Sequence, residues 1–221
     1  MKQLFYSLAA ASVLSLSACT AAPLPTAPDA ISATLWSLDD QTFYRAFAQN
    51  AFESPDHLEP LRRLPGPLRI YLRTIDSAGR EIDAPTLALT EQILLESTPV
   101  WSGGQFGVTE VIRGTGTREK SPGWLTVKWA TANGQDHCGR STVGIDGGFI
   151  EFNDLPSCTC GTSLRVYPRL VRHELGHAMG YYHTDGAGDV MYGQTIAREA
   201  CDLQPSDRER RHARLLYTDP H

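Results

Sequence analysis

The chain has 221 residues with 20 Lys and Arg against 25 Asp and Glu, a formal charge of −5. That length suits one sizeable domain, and an acidic balance without a basic stripe excludes nucleic acid as a partner. Hydrophobic residues make up 41% and charged residues 20%, an ordinary globular mix. Mean hydropathy is −0.27, and the one long apolar run lies at the N-terminus, so a polytopic membrane protein, a collagen and a coiled coil are excluded.

Residues 1–18 read as an export signal, with Lys2 as the positive end and Leu4 to Ala18 nearly all apolar or small. The run is short for a transmembrane helix and suits a signal core. Leu16-Ser17-Ala18-Cys19 resembles the bacterial lipoprotein box, which implies that Cys19 is lipidated and opens the mature chain. The alternative is a soluble secreted protein cut near Ala18. Residues 19–30 are Pro-rich and predict a semi-rigid tether, about 3 Å per residue when extended. Thr20 after the cysteine, by resemblance to Gram-negative lipoproteins, implies the outer membrane.

Five cysteines are present. With Cys19 carrying lipid, Cys138, Cys158, Cys160 and Cys201 remain, enough for two disulfides in an oxidising compartment. Cys158 and Cys160 are too close to pair with each other, so each reaches for Cys138 or Cys201. A cysteine zinc site is the alternative, though no C-x-x-C pair occurs.

Residues 31–65 form a pre-segment in which Phe43 and Phe47, four apart, predict a helix over 39–50. It either packs on the following domain or serves as an inhibitory peptide. Pro65-Gly66-Pro67 then punctuates the chain. Beyond it the pattern predicts strands at 68–72, 108–112, 125–129 and 148–152, a helix over 86–97 and a Cys-rich loop at 154–163. Alternating strands and helices indicate an α/β (α+β) domain over 66–221.

Residues 173–183 read His-Glu-Leu-Gly-His-Ala-Met-Gly-Tyr-Tyr-His. Four helical residues turn about 400°, so His173 and His177 share one face, as two ligands of one metal must. Glu174 falls about 100° away, where a general base beside the metal belongs. On a continuing helix His183 would face about 240° from His177. It can join as third ligand if the helix stops first, and Gly180 is where φ > 0 is available. Three imidazoles with a fourth position left open is the catalytic zinc pattern. Pro168 suits the helix's first turn, and Leu170, Val171, Leu175 and Ala178 should seat the helix on the sheet.

This H-E-x-x-H-x-x-G-x-x-H run, followed by Asp189-Val190-Met191-Tyr192, resembles the metzincin zinc endopeptidases, and its short spacing to Met191 the matrixin branch. The resemblance implies a metzincin-type zincin: a twisted mixed sheet, an active-site helix, a Met-turn with Met191 as an apolar floor, and a C-terminal helix. Residues 148–152 resemble the edge strand that pairs with substrate, and Tyr192 to Ile196 would line the specificity pocket. Residues 206–217 resemble the C-terminal helix, with Ser206 and Glu209 spaced as a capping box.

Three features depart from the matrixin pattern. The family's cysteine-switch prodomain is absent: before residue 66 the only cysteine is Cys19. His57, His137, His212 and His221 are scattered and read as surface histidines rather than a structural zinc site. Asp185 and Asp189 could bind calcium, or belong to a plain flexible loop. The expectation is a lipid-anchored, monomeric zinc endopeptidase of the bacterial cell envelope with peptide or protein substrates. Its rivals are a non-catalytic adhesion or assembly lipoprotein on the same fold, and a metal-dependent amidase of cell-wall peptide.

Overall fold

The computed structural model describes residues 37–131, 137–193 and 200–218. The export signal, Cys19, the tether, residues 31–36, positions 194–196 of the expected pocket wall and His221 lie outside the described residues. The described residues form one compact unit. No helix among the described residues is long and apolar enough to cross a membrane.

Helix α1, Leu38–Gln49, starts where the Ser37 side chain accepts from the Asp40 amide and stops at Asn50 in the left-handed conformation. Strand β1, Leu68–Asp76, leads to α2, Ala84–Trp101. Asp83 caps α2 through the Thr86 amide, and the helix runs past the expected end at 97 with Pro99 in its last turn. Then come β2 (Val108–Gly114), β3 (Trp124–Thr131), β4 (Gly139–Ser141) and β5 (Phe149–Asp154). Helices α3, Pro168–Ala178, and α4, Asp207–Thr218, complete the unit.

The five strands form a mixed sheet in the order β2-β1-β3-β5-β4. β2, β1, β3 and β5 run parallel, and β4 lies antiparallel to β5. This corrects one expectation. Residues 148–152 are not an edge strand, because β4 pairs outside them, Arg140 opposite Glu151. β4 is three residues of Gly, Arg and Ser, with no apolar alternation to betray it.

Ile70, Leu72, Val127, Ile150 and Phe152 from the sheet join Leu94 and Trp101 of α2 and Val171 and Leu175 of α3 in one core. Phe43, Phe47 and Leu64 belong to that same core. The pre-segment, set apart from 66–221 in the sequence, therefore packs on the domain from residue 37 onward. Phe47 stacks on Tyr181 with ring centroids 4.2 Å apart.

Candidate metal centre

Helix α3 has no side-chain cap at Tyr167; instead the Arg169 amide donates to the Cys201 carbonyl. Its apolar face, including Leu170, Val171, Leu175 and Ala178, is buried as the periodicity requires. The helix ends at Met179, and Gly180 follows with φ +109°, so the turn falls at the expected glycine.

Beyond that turn His183 swings back onto the helix. Its Nε2 lies 3.2 Å from the Nε2 atoms of both His173 and His177. Each ring's other nitrogen faces an acceptor. His173 Nδ1 is 2.8 Å from the Val190 carbonyl, His177 Nδ1 is 2.7 Å from the Tyr181 carbonyl, and His183 Nδ1 is 2.6 Å from a Glu53 carboxylate oxygen. These oxygens only accept, so each Nδ1 carries the proton and each Nε2 presents a lone pair. Three lone pairs pointing at one another repel unless a cation sits between them. Tetrahedral zinc with bonds of about 2.0–2.1 Å separates its ligand atoms by about 3.3–3.4 Å, close to what is seen. The three histidines form a group able to hold a metal ion. Burial depresses the pKa of His173 well below the usual value and that of His177 to about 4, keeping both neutral.

Glu174 is 3% exposed. Its carboxylate lies against Gly139 of β4, where a Cβ would come within 2.5 Å of Oε1, and Oε2 has no hydrogen-bond partner among the described residues. Burial raises its pKa to about 8. A cleft of about 540 Å³ reaches His173, His183 and Glu174 and is walled by Gly139, Tyr167 and Tyr192.

Met191 is fully buried, with its sulfur against Gly176, where a Cβ would collide with it. The Met191 sulfur thus packs against helix α3 at the residue before His177. Glu209 locks this turn to α4. It accepts from the Ser206 amide while Ser206 Oγ accepts from the Glu209 amide, closing the expected capping box. It also accepts from the Val190 and Met191 amides, at 3.1 and 2.8 Å. The Arg169 guanidinium adds a second tie, donating to the Tyr192 carbonyl at 2.8 Å.

The disulfides are Cys138–Cys158 and Cys160–Cys201, so the cysteines flank the cleft rather than forming a zinc site. Asp189, offered as a calcium ligand, has both carboxylate oxygens engaged: by Arg208, Thr184 Oγ1 and Ser206 Oγ. His212 corrects another expectation. It is 1% exposed, packed against Phe43 and Tyr44 of α1, because α1 covers the α4 face that would otherwise meet water. His57 and His137 are exposed as expected. Glu53 was not foreseen. Nothing local marks it, since its partner lies 130 residues further along the chain.

No protein-family model matches the chain, and no curated protein matches it. Among solved structures it is similar to metalloproteinase-II from Bacteroides fragilis, with 11% identity and a TM-score of 0.46. That similarity covers 72% of this chain and 56% of the other, so the chain spans little more than half its neighbour's length.

Proposed function

We propose that the protein is a zinc-dependent endopeptidase of the metzincin type, nearest in pattern to the matrixins. The observation that carries this reading is the convergence of three Nε2 lone pairs while every Nδ1 is committed to an acceptor. A cluster held together by packing alone would have no reason to aim three unprotonated nitrogens at one point. Zinc held there would supply Lewis acidity toward a scissile carbonyl and the attacking water.

The chain's own groups do the rest. Glu174 takes the proton of the attacking water at a carboxylate oxygen and returns it to the leaving amine. Its seat against Gly139 leaves Oε2 without a partner among the described residues and open to a proton in transit. A cation held by the three histidines would favour the ionised form that burial alone disfavours. A non-catalytic module on this fold would have no use for such a buried carboxyl, whose desolvation is costly. The cleft beside the ligands gives an extended peptide room to lie along β4.

The same proposal includes location. The signal, Cys19 and the tether make the protein a lipid-anchored enzyme of the cell envelope acting on peptides or proteins there.

The test is cleavage of a denatured protein by the purified chain, with and without a chelator, alongside Glu174→Gln. Wild type should cleave and lose activity on chelation. The variant should keep its zinc and lose about 10²–10⁴-fold or more in turnover. A Glu174→Gln enzyme within about tenfold of wild type, less than a general base contributes, refutes the assigned mechanism.

A further inference from the structure

His183 is the ligand that helix α3 does not hold. It arrives on the irregular stretch after Gly180, and what fixes that stretch comes from the pre-segment. The Tyr182 amide donates to the Phe47 carbonyl at 2.8 Å, and the Phe47 ring stacks on Tyr181. The backbone of Arg62 lies so close to Gly180 that a Cβ there would overlap its carbonyl. The last contact reaches the ligand itself: Glu53 Oε1 stands 2.6 Å from His183 Nδ1. His173 and His177 are steadied by carbonyls of the polypeptide backbone; His183 alone of the three relies on a side chain.

We propose that Glu53 is a positioning residue of the metal centre, and hence that residues 47–63 belong to the working enzyme rather than to a removable leader. This rests on the zinc reading above. A carboxylate accepting from Nδ1 fixes the tautomer, holds the ring plane and makes Nε2 a better donor to the metal. The Glu53 side chain is 47% exposed and forms no ion pair with a Lys or Arg among the described residues. Its removal therefore leaves no buried hole, and the variant should fold.

The experiment measures affinity for Zn²⁺ alone, by competition with a chromophoric chelator, on the full purified chain. Wild type, Glu53→Ala, Glu53→Gln, His173→Ala and Asp56→Ala are compared, with the melting temperature of each metal-free protein as the check on folding. Glu53→Ala should bind zinc about 10–100-fold more weakly. Glu53→Gln, whose amide oxygen still accepts from Nδ1, should recover part of that loss, and Asp56→Ala should match wild type. Glu53→Ala within about threefold of wild type, below the usual cost of losing such a partner, overturns the proposal. So does a glutamine variant as weak as the alanine one. If wild type binds no zinc, or His173→Ala binds it equally well, the zinc reading falls and takes this inference with it. A zinc site that depends on His173 but is indifferent to Glu53 removes the inference alone.

Discussion

Replacing Gly180 with alanine adds one methyl group at the point where helix α3 hands over to the third histidine. Two separate costs meet there. The backbone sits at φ +109°, where an L side chain is strained by about 1–2 kcal/mol. The new methyl would also overlap the Arg62 carbonyl oxygen and lie 2.9 Å from its carbon, an overpacking worth about 1–3 kcal/mol. Together they predict a loss of about 2–5 kcal/mol, a large fraction of a typical domain's stability.

Other glycines separate the two contributions. Gly79 and Gly104 have φ of +79° and +87° with nothing within 4 Å of the added atom, and should pay only the backbone cost. Gly188 has open space and no positive φ, so its alanine variant should stay within about 0.5 kcal/mol of wild type. Urea unfolding, with the midpoint compared at constant slope, reads all four. Zinc affinity should fall for Gly180→Ala alone, since only that substitution displaces the segment bearing His183. A Gly180→Ala protein no less stable than Gly104→Ala would refute the claim that the Arg62 backbone packs tightly on the turn.

His183→Ala should lower zinc content by atomic emission while exposed His57→Ala leaves it intact; equal content would refute the three-histidine set. Glu209 offers a pH test, because burial and the Asp189 charge raise its pKa to about 7 despite three amide donors. A carboxyl that holds its proton more tightly when folded contributes stability below its ordinary value of 4.5 and loses it as pH climbs to about 7. Across that window wild type should lose up to about 3 kcal/mol relative to Glu209→Gln, at about 1.4 kcal/mol per unit; parallel unfolding curves at pH 5 and 8 would contradict this. Thiol titration of the denatured, unreduced mature protein should find no free cysteine, and four after reduction. Cys19→Ser should leave the protein soluble or unprocessed rather than in the membrane fraction.

What was legible in the sequence is what repeats over a few residues. The step from His173 to His177, the glycine stop, the apolar face of α3 and the Ser206–Glu209 box are local patterns, and local hydrogen bonding realises them. β4 could not be read that way, because Gly139-Arg140-Ser141 becomes a strand only through its ladder with β5. His212 looks like a surface residue until α1 is laid over it. Glu209 showed one of its two roles: the cap is written in the spacing, but the clasp on Val190 and Met191 needs two segments brought together. Glu53 is the extreme case, an ordinary loop glutamate whose meaning is created entirely by tertiary contact.

The two disulfides raise a problem of choice. Cys158 and Cys160 stand two residues apart, and exchanging their partners would alter the closed loops, now 20 and 41 residues, by only two residues each. Loop-closure entropy distinguishes the two arrangements by about 0.1 kcal/mol, less than thermal energy. An oxidised but unfolded chain has therefore almost no basis for selecting the right pair. Selection falls to the packed state, in which Cys158 is sealed from solvent and Cys201 is held where its carbonyl receives the first turn of α3. Order of events matters for such a protein: cross-links made before the sheet and α3 have met would record the wrong answer about half the time. Recovery would then depend on a thiol able to reopen them.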